Sequence, residues 1–128
     1  GIRVTKDGSL IVAERYHGGV VRISPDGQQT LIAESPRNQS EPAKLVMDED
    51  ENIYICYTAI NQIYKISADG SRVEPMAGNV LIGDDTGIGP RSRLRFPEAI
   101  ALVMEGDQPV LYIGDSGNRK IKKITGLE

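Results

Sequence analysis

Serine nucleophile chemistry is the first activity that this sequence suggests, because Gly114-Asp-Ser-Gly117 matches the nucleophile stretch of trypsin-like proteases. A nucleophilic serine needs a base within hydrogen-bond reach and donors that stabilise an oxyanion. His17 is the one histidine of the 128 residues, and it lies in a loop beside two glycines. Gly, Asp, Ser and Asn are also the residues that tight turns prefer. We therefore interpret Asp115 to Asn118 as a turn and not as part of a protease site.

Three further segments resemble chemical sites, and each lacks a required part. Asp48-Glu-Asp-Glu-Asn52 has the alternating oxygen atoms of a calcium loop but neither the glycine nor the distal glutamate of an EF-hand. The glycine-rich residues 78–89 lack the Gly-Lys-Ser/Thr ending of a phosphate-binding loop. Cys56 has no cationic neighbour in the sequence to stabilise a thiolate, so we interpret it as a small buried residue. We predict no catalytic residue, no bound metal and no cofactor.

An internal repeat organises the whole chain. The segment from Asp7 to Gly27 recurs from Asp50 to Gly70 at a constant offset of 43 residues, so that Ile23 corresponds to Ile66. A third copy follows a longer spacer, with Ile66 corresponding to Ile124 at an offset of 58. Repeats of about 40–45 residues that consist of short strands are typical of propeller blades, each a four-stranded sheet. The sequence therefore predicts an all-β structure.

Each copy contains the same order of short strands. Alternating apolar and polar residues mark them as half-buried, and Asp26-Gly27 and Asp69-Gly70 predict hairpin turns. Pro75 lies in the fourth strand of the second copy, which is consistent with an outer edge. No segment has a helical pattern. We predict a β-propeller of about three blades, with blade 1 at about residues 1–34, blade 2 at about 42–78, a linker at about 79–95 and blade 3 at about 96–128.

The third copy stops before its fourth strand, so we predict sheets of four, four and three strands. Three blades are half of a six-bladed ring and leave open sheet edges, which favour pairing with another chain. Two assemblies follow from this. Either two copies associate as a homodimer that completes one ring, or the chain is a fragment of a longer propeller.

The third copy resembles a known repeat. Its residues Phe96-Pro-Glu-Ala-Ile-Ala-Leu102 and Leu111-Tyr-Ile-Gly-Asp-Ser-Gly-Asn-Arg-Lys-Ile-Lys-Lys-Ile124 resemble the NHL repeat, whose consensus is close to F-x-x-P-x-G-I-A-V followed by L-Y-V-A-D-T-G-N-x-R-I-x-x-F. The resemblance is strongest from about Pro75 onward. It implies a six-bladed propeller that binds proteins or small ligands on one loop face.

The first two copies depart from that consensus and are similar to another group. They resemble the gluconolactonase and strictosidine-synthase relatives, whose blades read D-G-x-L-Y-V-A followed by G-x-V-x-R-I-x-P-D-G. That resemblance implies an alternative function as a propeller enzyme, either a metal-dependent lactonase or hydrolase or a strictosidine-synthase-like enzyme. Glu14, Glu41, Asp115 and Asn118 could supply carboxylate and amide oxygens to such a metal, although no copy has the matching spacing.

The predicted loops divide the charges between two faces. The turns on one face carry nine acidic residues and one lysine, whereas arginines gather in the linker and loops of the other face. Arginine is favoured at binding surfaces. We therefore predict a non-catalytic binding or scaffold module that engages a protein or small-molecule partner on the arginine-bearing face. The predicted contact residues are Arg15, Tyr16, His17, Arg37, Tyr57, Asn61, Arg93, Arg95, Asp115, Asn118 and Arg119. The D-x-x-N-x-R pattern also allows Asp115, Asn118 and Arg119 to tie neighbouring blades together.

Bulk composition is that of an ordinary globular domain. The chain is 39% hydrophobic and 26% charged, with a net charge of −3. A net negative charge, one phenylalanine and no tryptophan argue against nucleic-acid binding, because base stacking needs aromatic side chains. No apolar run reaches the roughly 20 residues of a transmembrane helix. A single cysteine allows no internal disulfide, and no segment assigns the chain to a compartment.

Overall fold

The computed structural model describes residues 1–14, 19–37 and 41–127. It contains eleven strands, and the short 3-10 helices Thr58–Ile60, Gly89–Arg91 and Ser116–Asn118. The strands are β1 (Ile2–Val4), β2 (Leu10–Ala13), β3 (Val20–Ile23), β4 (Gln29–Ala33), β5 (Pro42–Met47), β6 (Ile53–Tyr57), β7 (Gln62–Ile66), β8 (Val73–Ala77), β9 (Pro97–Glu105), β10 (Gln108–Asp115) and β11 (Lys120–Ile124). Within these ranges no helix is long and apolar enough to cross a membrane.

The strands form three antiparallel meanders, which confirms the predicted all-β fold. Their orders are β1-β2-β3-β4, β5-β6-β7-β8 and β9-β10-β11, so the sheets have four, four and three strands as predicted. The first strands of the three sheets contact one another, β1 with β5 and β5 with β9. Each sheet is therefore one blade, and the first strand of each blade lies innermost.

The outer strands pair in the same way in blades 1 and 2. Val20 pairs with Ala33 and Val21 with Leu31, with a bulge between the two pairs. Ile63 pairs with Ala77 and Tyr64 with Pro75, with a bulge at the same place. Because β8 is the outermost strand of its sheet, Pro75 can lie there although it has no N–H to donate.

Apolar side chains pack between the blades rather than within one of them. Ile11, Val20, Leu45, Ile55 and Tyr57 belong to the cluster that joins blades 1 and 2. Tyr54, Ile63, Leu94, Leu111 and Ile113 belong to the cluster that joins blades 2 and 3. A four-stranded sheet cannot bury both of its faces alone, so each blade depends on its neighbour for a core.

The two end blades each leave one apolar face uncovered. On blade 1, Ile2 is 54% exposed and Val4 is 64% exposed. On blade 3, Ile121 is 79% exposed, whereas Ile63, its equivalent in blade 2, is 0% exposed. The same repeat position is therefore buried in blades 1 and 2, where a described blade packs on it, and exposed in blade 3. Exposed apolar patches of this kind mark interaction surfaces.

The Asp-Gly turns are held by side chains of the turn itself. Asp69 Oδ1 accepts hydrogen bonds from the Ser71 N–H at 3.0 Å and from the Ser67 hydroxyl at 2.9 Å. Gly70 follows with φ of 77°, and a Cβ there would lie 2.2 Å from the carbonyl oxygen of Ile32. Only glycine fits this position, because the turn requires positive φ and blade 1 approaches closely.

These hydrogen bonds predict an unusually acidic carboxyl group. Hydrogen bonds from Ser71 and Ser67 lower the pKa of Asp69 from 3.8 to about 2. A carboxyl group whose pKa is lower in the folded than in the unfolded protein stabilises the fold at pH values above the unfolded pKa. That stabilisation is lost as the pH falls through the folded pKa. We expect the Asp69 carboxyl resonance to titrate near pH 2 by NMR. With Ser71→Ala its midpoint should move toward 3.8. An unchanged midpoint in that variant would contradict this origin of the shift.

Candidate functional site

The loops between the second and third strands of each blade lie on the face where binding was predicted. Arg15, Tyr16 and His17 belong to the first of these loops and lie outside the described residues. Arg37, Arg95 and Arg119 are exposed, and Arg93 is half-buried. Among the described residues, the structure therefore leaves three of the predicted arginine side chains exposed on this face.

Asp115 is the most constrained of the predicted contact residues, with 0% exposure. Its Oδ1 accepts a hydrogen bond from the Arg95 N–H at 2.7 Å. Its Oδ2 accepts one from Asn118 Nδ2 at 2.7 Å and forms an ion pair with Lys122 Nζ at 2.8 Å. Both carboxylate oxygens are thus occupied by groups of blade 3 and the linker, so Asp115 ties the linker to the blade and does not face a ligand.

Asn118 extends the same network into the linker. Its Nδ2 also donates to the carbonyl oxygen of Gly83 at 2.7 Å. Lys122 Nζ donates to the Arg93 carbonyl at 3.1 Å and pairs with Asp84 at 2.8 Å. The Asp-Ser-Gly-Asn stretch that resembled a protease nucleophile therefore fastens residues 83–95 to blade 3.

Gly117 is required by this packing. A Cβ at this position would lie 2.4 Å from Arg95 Cγ and 2.6 Å from the Arg95 carbonyl oxygen. The Gly117 N–H also donates to that carbonyl at 2.8 Å. The backbone of the loop therefore approaches the linker more closely than any residue with a side chain would permit.

Asn61, in blade 2, is another predicted contact residue that instead holds the chain in place through a hydrogen bond. It is 3% exposed and has φ of 59°, in the left-handed region that asparagine tolerates. Its Oδ1 accepts a hydrogen bond from the Phe96 N–H at 2.9 Å, so it positions the entry into β9. Burial and this hydrogen bond therefore hold the Asn61 side chain within the fold, and its contact with a partner stays a prediction.

The side chain of Tyr57 is likewise held within the fold, because it lies in the core with 0% exposure. Its ring packs edge to face on Tyr64, with centroids 5.4 Å apart. The repeat offset of 58 aligns this pair with Asp115 and Lys122, so blade 2 has an aromatic pair where blade 3 has an ion pair. Burial raises the pKa of the Tyr57 hydroxyl, and no described residue bonds to that oxygen.

An unpaired buried hydroxyl is destabilising, so Tyr57→Phe should stabilise the fold. We expect the free energy of unfolding in urea to rise by about 1 kcal/mol, since the variant removes a desolvated polar atom and keeps the ring. Tyr112→Phe is the matched control, because the Tyr112 hydroxyl donates to Glu105 at the surface. A loss of stability in Tyr57→Phe would show that its hydroxyl has a partner.

A cleft that the sequence did not indicate lies where the inner strands β5 and β9 begin. Its volume is about 270 Å³, and it is lined by Glu41, Pro42, Ala43, Lys44, Thr58 and Glu98. Glu41 and Phe96 both have positive φ, 49° and 50°, just before the prolines that start β5 and β9. The Thr58 hydroxyl donates to the Pro97 carbonyl at 2.7 Å and so joins the two blades.

The cleft brings together groups that can form hydrogen bonds and ion pairs with a ligand. Two carboxylates (Glu41 and Glu98), one ammonium group (Lys44) and one hydroxyl (Thr58) line it. From the sequence, Glu41 was named only as one of four possible metal ligands of the alternative enzyme function. The available sequence signal was the pair of dipeptides Glu41-Pro42 and Phe96-Pro97, but it becomes informative only when the two inner strands are known to be neighbours.

The remaining motifs have structural roles. Asp48 Oδ1 accepts hydrogen bonds from the N–H groups of Asp50 and Asn52 at 3.0 and 2.9 Å, which closes the acidic turn. Cys56 is 0% exposed, and burial raises the pKa of its thiol to about 12. Among residues 1–14, 19–37 and 41–127, no group of three or more His, Cys, Asp or Glu residues could hold a metal ion.

Comparisons with solved structures show the fold. A streptogramin B lyase is 18% identical with a TM-score of 0.74, over 98% of this chain and 36% of that chain. A nutrient-binding protein from Bacteroides ovatus is 18% identical with a TM-score of 0.78, over 94% of this chain and 32% of that one. The chain folds as part of a β-propeller.

The propeller likeness extends to a second lyase. A virginiamycin B lyase from Staphylococcus aureus bound to quinupristin is 19% identical with a TM-score of 0.70, over 97% of this chain. The chain spans about a third of the length of these structures, as shares of 36%, 36% and 32% indicate. No protein-family model matches the sequence, and no curated protein matches it.

Proposed function

We propose that the chain is a non-catalytic binding module of NHL-propeller type that engages a small polar ligand at the mouth of the propeller channel. The observation that carries the proposal is the cleft between blades 2 and 3, where Glu41, Lys44, Thr58 and Glu98 line about 270 Å³. Ligand sites of propellers and barrels form where loops meet around a central opening. The nutrient-binding neighbour, with a TM-score of 0.78 at 18% identity, supports the propeller fold on which the cleft is formed.

The cleft favours a ligand with an ammonium group and hydroxyl groups. Charge-assisted hydrogen bonds to carboxylates are stronger than neutral ones, so Glu41 and Glu98 would favour a cation. Thr58 already donates its proton to Pro97 and therefore offers only acceptor capacity to a ligand. An amino sugar has this combination of donors. Arg37, Arg95 and Arg119 surround the same face and would contact larger or protein partners.

Titration with glucosamine, followed by NMR, tests the proposal. We expect shift changes at Thr58 and Glu98 with a Kd of about 1 mM, and weaker changes with glucose, which lacks the ammonium group. Glu98→Gln should weaken glucosamine binding about tenfold, equivalent to about 1.4 kcal/mol. Asp107→Asn, an exposed turn residue of the opposite face, should leave binding unchanged. Shift changes at the acidic turns, or none with either sugar, would contradict the proposal.

We also propose that further blades complete the ring, either those of a second copy of this chain or those of a longer propeller chain of which this sequence is a part. The uncovered face of blade 1 has the repeat positions by which blade 2 packs on blade 1, so Ile2 and Val4 correspond to Leu45 and Met47. The uncovered face of blade 3 has the positions by which blade 2 packs on blade 3, so Ile121 corresponds to Ile63. Blade 1 of one copy therefore fits blade 3 of another, and two such contacts close six blades.

A catalytic function remains the alternative that the sequence raised. The streptogramin B lyase shares 18% identity with this chain, and a likeness at that level supports the fold alone. The binding proposal is preferred because its cleft is formed by described residues, whereas the enzyme alternative rests on no assembled nucleophile and base among them.

A further inference from the structure

The linker between blades 2 and 3 carries a run of exposed apolar side chains. Residues 78–96 join β8 to β9, whereas residues 34–41 suffice between the corresponding strands β4 and β5. Within the longer connection Val80 is 42% exposed, Leu81 is 63% exposed and Ile82 is 47% exposed. Three consecutive apolar residues in water are unfavourable unless they serve a function, and such patches mark interaction surfaces. This segment lies between two blades that the structure describes.

These apolar side chains belong to neither of the cores between the blades. Leu94, from the same linker, is 2% exposed and belongs to the cluster between blades 2 and 3, to which Val80, Leu81 and Ile82 do not contribute. The Gly83 N–H donates to the Leu94 carbonyl oxygen at 3.3 Å, so the two halves of the linker are joined. The linker thus packs on the blades through Leu94 and presents residues 80–82 to solvent.

Hydrogen bonds hold the backbone of residues 80–82 at both ends. Asn61 Nδ2 donates to the Val80 carbonyl oxygen at 3.4 Å, and Asn118 Nδ2 donates to the Gly83 carbonyl oxygen at 2.7 Å. The two asparagines lie in equivalent loops of blades 2 and 3, between the second and third strands. Because the segment is already ordered, binding a partner there costs little conformational entropy.

Two exposed residues at the start of blade 3 adjoin this segment. Phe96 is 40% exposed, and its N–H donates to Asn61 Oδ1, which belongs to the same amide group that binds Val80. Arg95 is exposed, and its methylene groups lie on Gly117, where a Cβ would be 2.4 Å from Arg95 Cγ. Aliphatic side chains, an aromatic ring and a guanidinium group therefore share one surface.

The charge of this surface is positive. Asp84 and Asp85, the acids of the linker, already form ion pairs with Lys122 and Arg93 at 2.8 and 3.5 Å. Among residues 1–14, 19–37 and 41–127, no carboxylate forms an ion pair with the Arg95 side chain. Arg95 is therefore available to an acidic group of a partner. The linker surface consists of Val80, Leu81, Ile82, Arg95 and Phe96.

We propose that the linker surface binds an acidic segment of a partner protein. A leucine or phenylalanine of the segment packs on Leu81 and Phe96, and a neighbouring carboxylate pairs with Arg95. Arginine holds carboxylates through two parallel hydrogen bonds, and arginine-bearing surfaces recur in the recognition of acidic motifs. A nucleic acid fits less well, because aliphatic side chains offer no ring for base stacking. The inference extends the proposed binding function to a protein partner and uses no residue of the cleft.

A labelled peptide of sequence Asp-Leu-Glu-Phe-Asp-Leu tests the proposal by fluorescence anisotropy with the whole chain. We expect a Kd of about 100 µM. Two matched peptides separate charge from apolar contact. One has asparagine and glutamine in place of the acids, and the other has alanine in place of leucine and phenylalanine. Each should bind at least about tenfold more weakly, because the surface requires both kinds of side chain.

Variants of the chain locate the binding site. Leu81→Ser and Arg95→Gln should each weaken binding of the peptide about tenfold, and glutamine keeps the methylene groups that lie on Gly117. Met104→Ser is the matched control for the first variant, since Met104 is 59% exposed at the hairpin of the opposite face. Arg72→Gln is the control for the second, since Arg72 is exposed and already paired in its own blade. Both controls should bind as the wild type does.

An NMR titration with the same peptide shows which amides it affects, and we expect shift changes at residues 80–82 and at Phe96. Three results would overturn the proposal: no binding up to about 1 mM peptide, equal affinity for either matched peptide or for oligothymidine, or shift changes confined to Thr58 and Glu98 of the cleft. Glucosamine binding is measured at the cleft and peptide binding at the linker surface, so the two proposals fail separately.

Discussion

Replacing Asp115 by alanine should cost about 3–5 kcal/mol of unfolding free energy, the loss that follows when one partner of a buried ion pair is removed. The variant leaves Lys122 without its buried partner, and it leaves the Arg95 N–H and Asn118 Nδ2 without the oxygens that accept their hydrogen bonds. Urea denaturation followed by circular dichroism measures the loss. At the upper end the chain would be largely unfolded in water, because domains of this size have little stability to spare.

Asp84→Ala is the matched control, since it removes a carboxylate that also pairs with Lys122 but is 40% exposed. We expect that variant to cost about 1 kcal/mol or less, as is usual for exposed pairs. If Asp115→Ala were as mild as Asp84→Ala, the network between blade 3 and the linker would not be structural. Asp115 and Asn118 would then return to the candidate contact surface.

Ile63→Ala should destabilise the protein by about 2–4 kcal/mol, because it deletes a fully buried side chain and leaves a cavity. Ile63 is 0% exposed and belongs to the cluster by which blade 2 packs on blade 3. The same urea measurement applies. We expect the transition to stay cooperative, since each blade obtains its core from its neighbour and cannot unfold alone.

Ile88→Ala is the matched control for Ile63→Ala. Ile88 is an isoleucine of the linker that is 84% exposed, so its truncation should change stability by about 0.5 kcal/mol at most. Equal effects of Ile63→Ala and Ile88→Ala would mean that the packing between blades 2 and 3 is absent in solution. Two separate transitions in the wild-type chain would contradict the shared cores.

The strands could be predicted from the sequence because their signals are local. Alternation along Ile63–Ile66 and the Asp-Gly turns depend on residues close together in the chain, and the offsets of 43 and 58 place each strand in its blade. Strand lengths were less predictable. The strand β9 extends over nine residues, from Pro97 to Glu105, because the hairpin at Gly106 continues its pairing with β10.

The candidate site was predicted less well, because it depends on packing between blades. Tyr57 aligns with the polar residues Glu14 and Asp115, yet it lies in the core. Its burial follows from its contact with Tyr64, which no local pattern shows. Likewise Glu41 and Glu98 are far apart in sequence and meet only because β5 and β9 are neighbouring inner strands. The sequence indicated that Asp115 and Asn118 belong to a turn, and their hydrogen bonds support this interpretation.

The central proposal is that a second copy of this chain covers the uncovered apolar faces of blades 1 and 3 and so completes a ring. Multi-angle light scattering on the purified chain tests it most directly. We expect a molar mass of twice 13.9 kDa, and dissociation on dilution or with Val4→Lys, which places a charge on the uncovered face of blade 1. A monomer of 13.9 kDa that folds cooperatively at every concentration up to about 1 mM would contradict the claim.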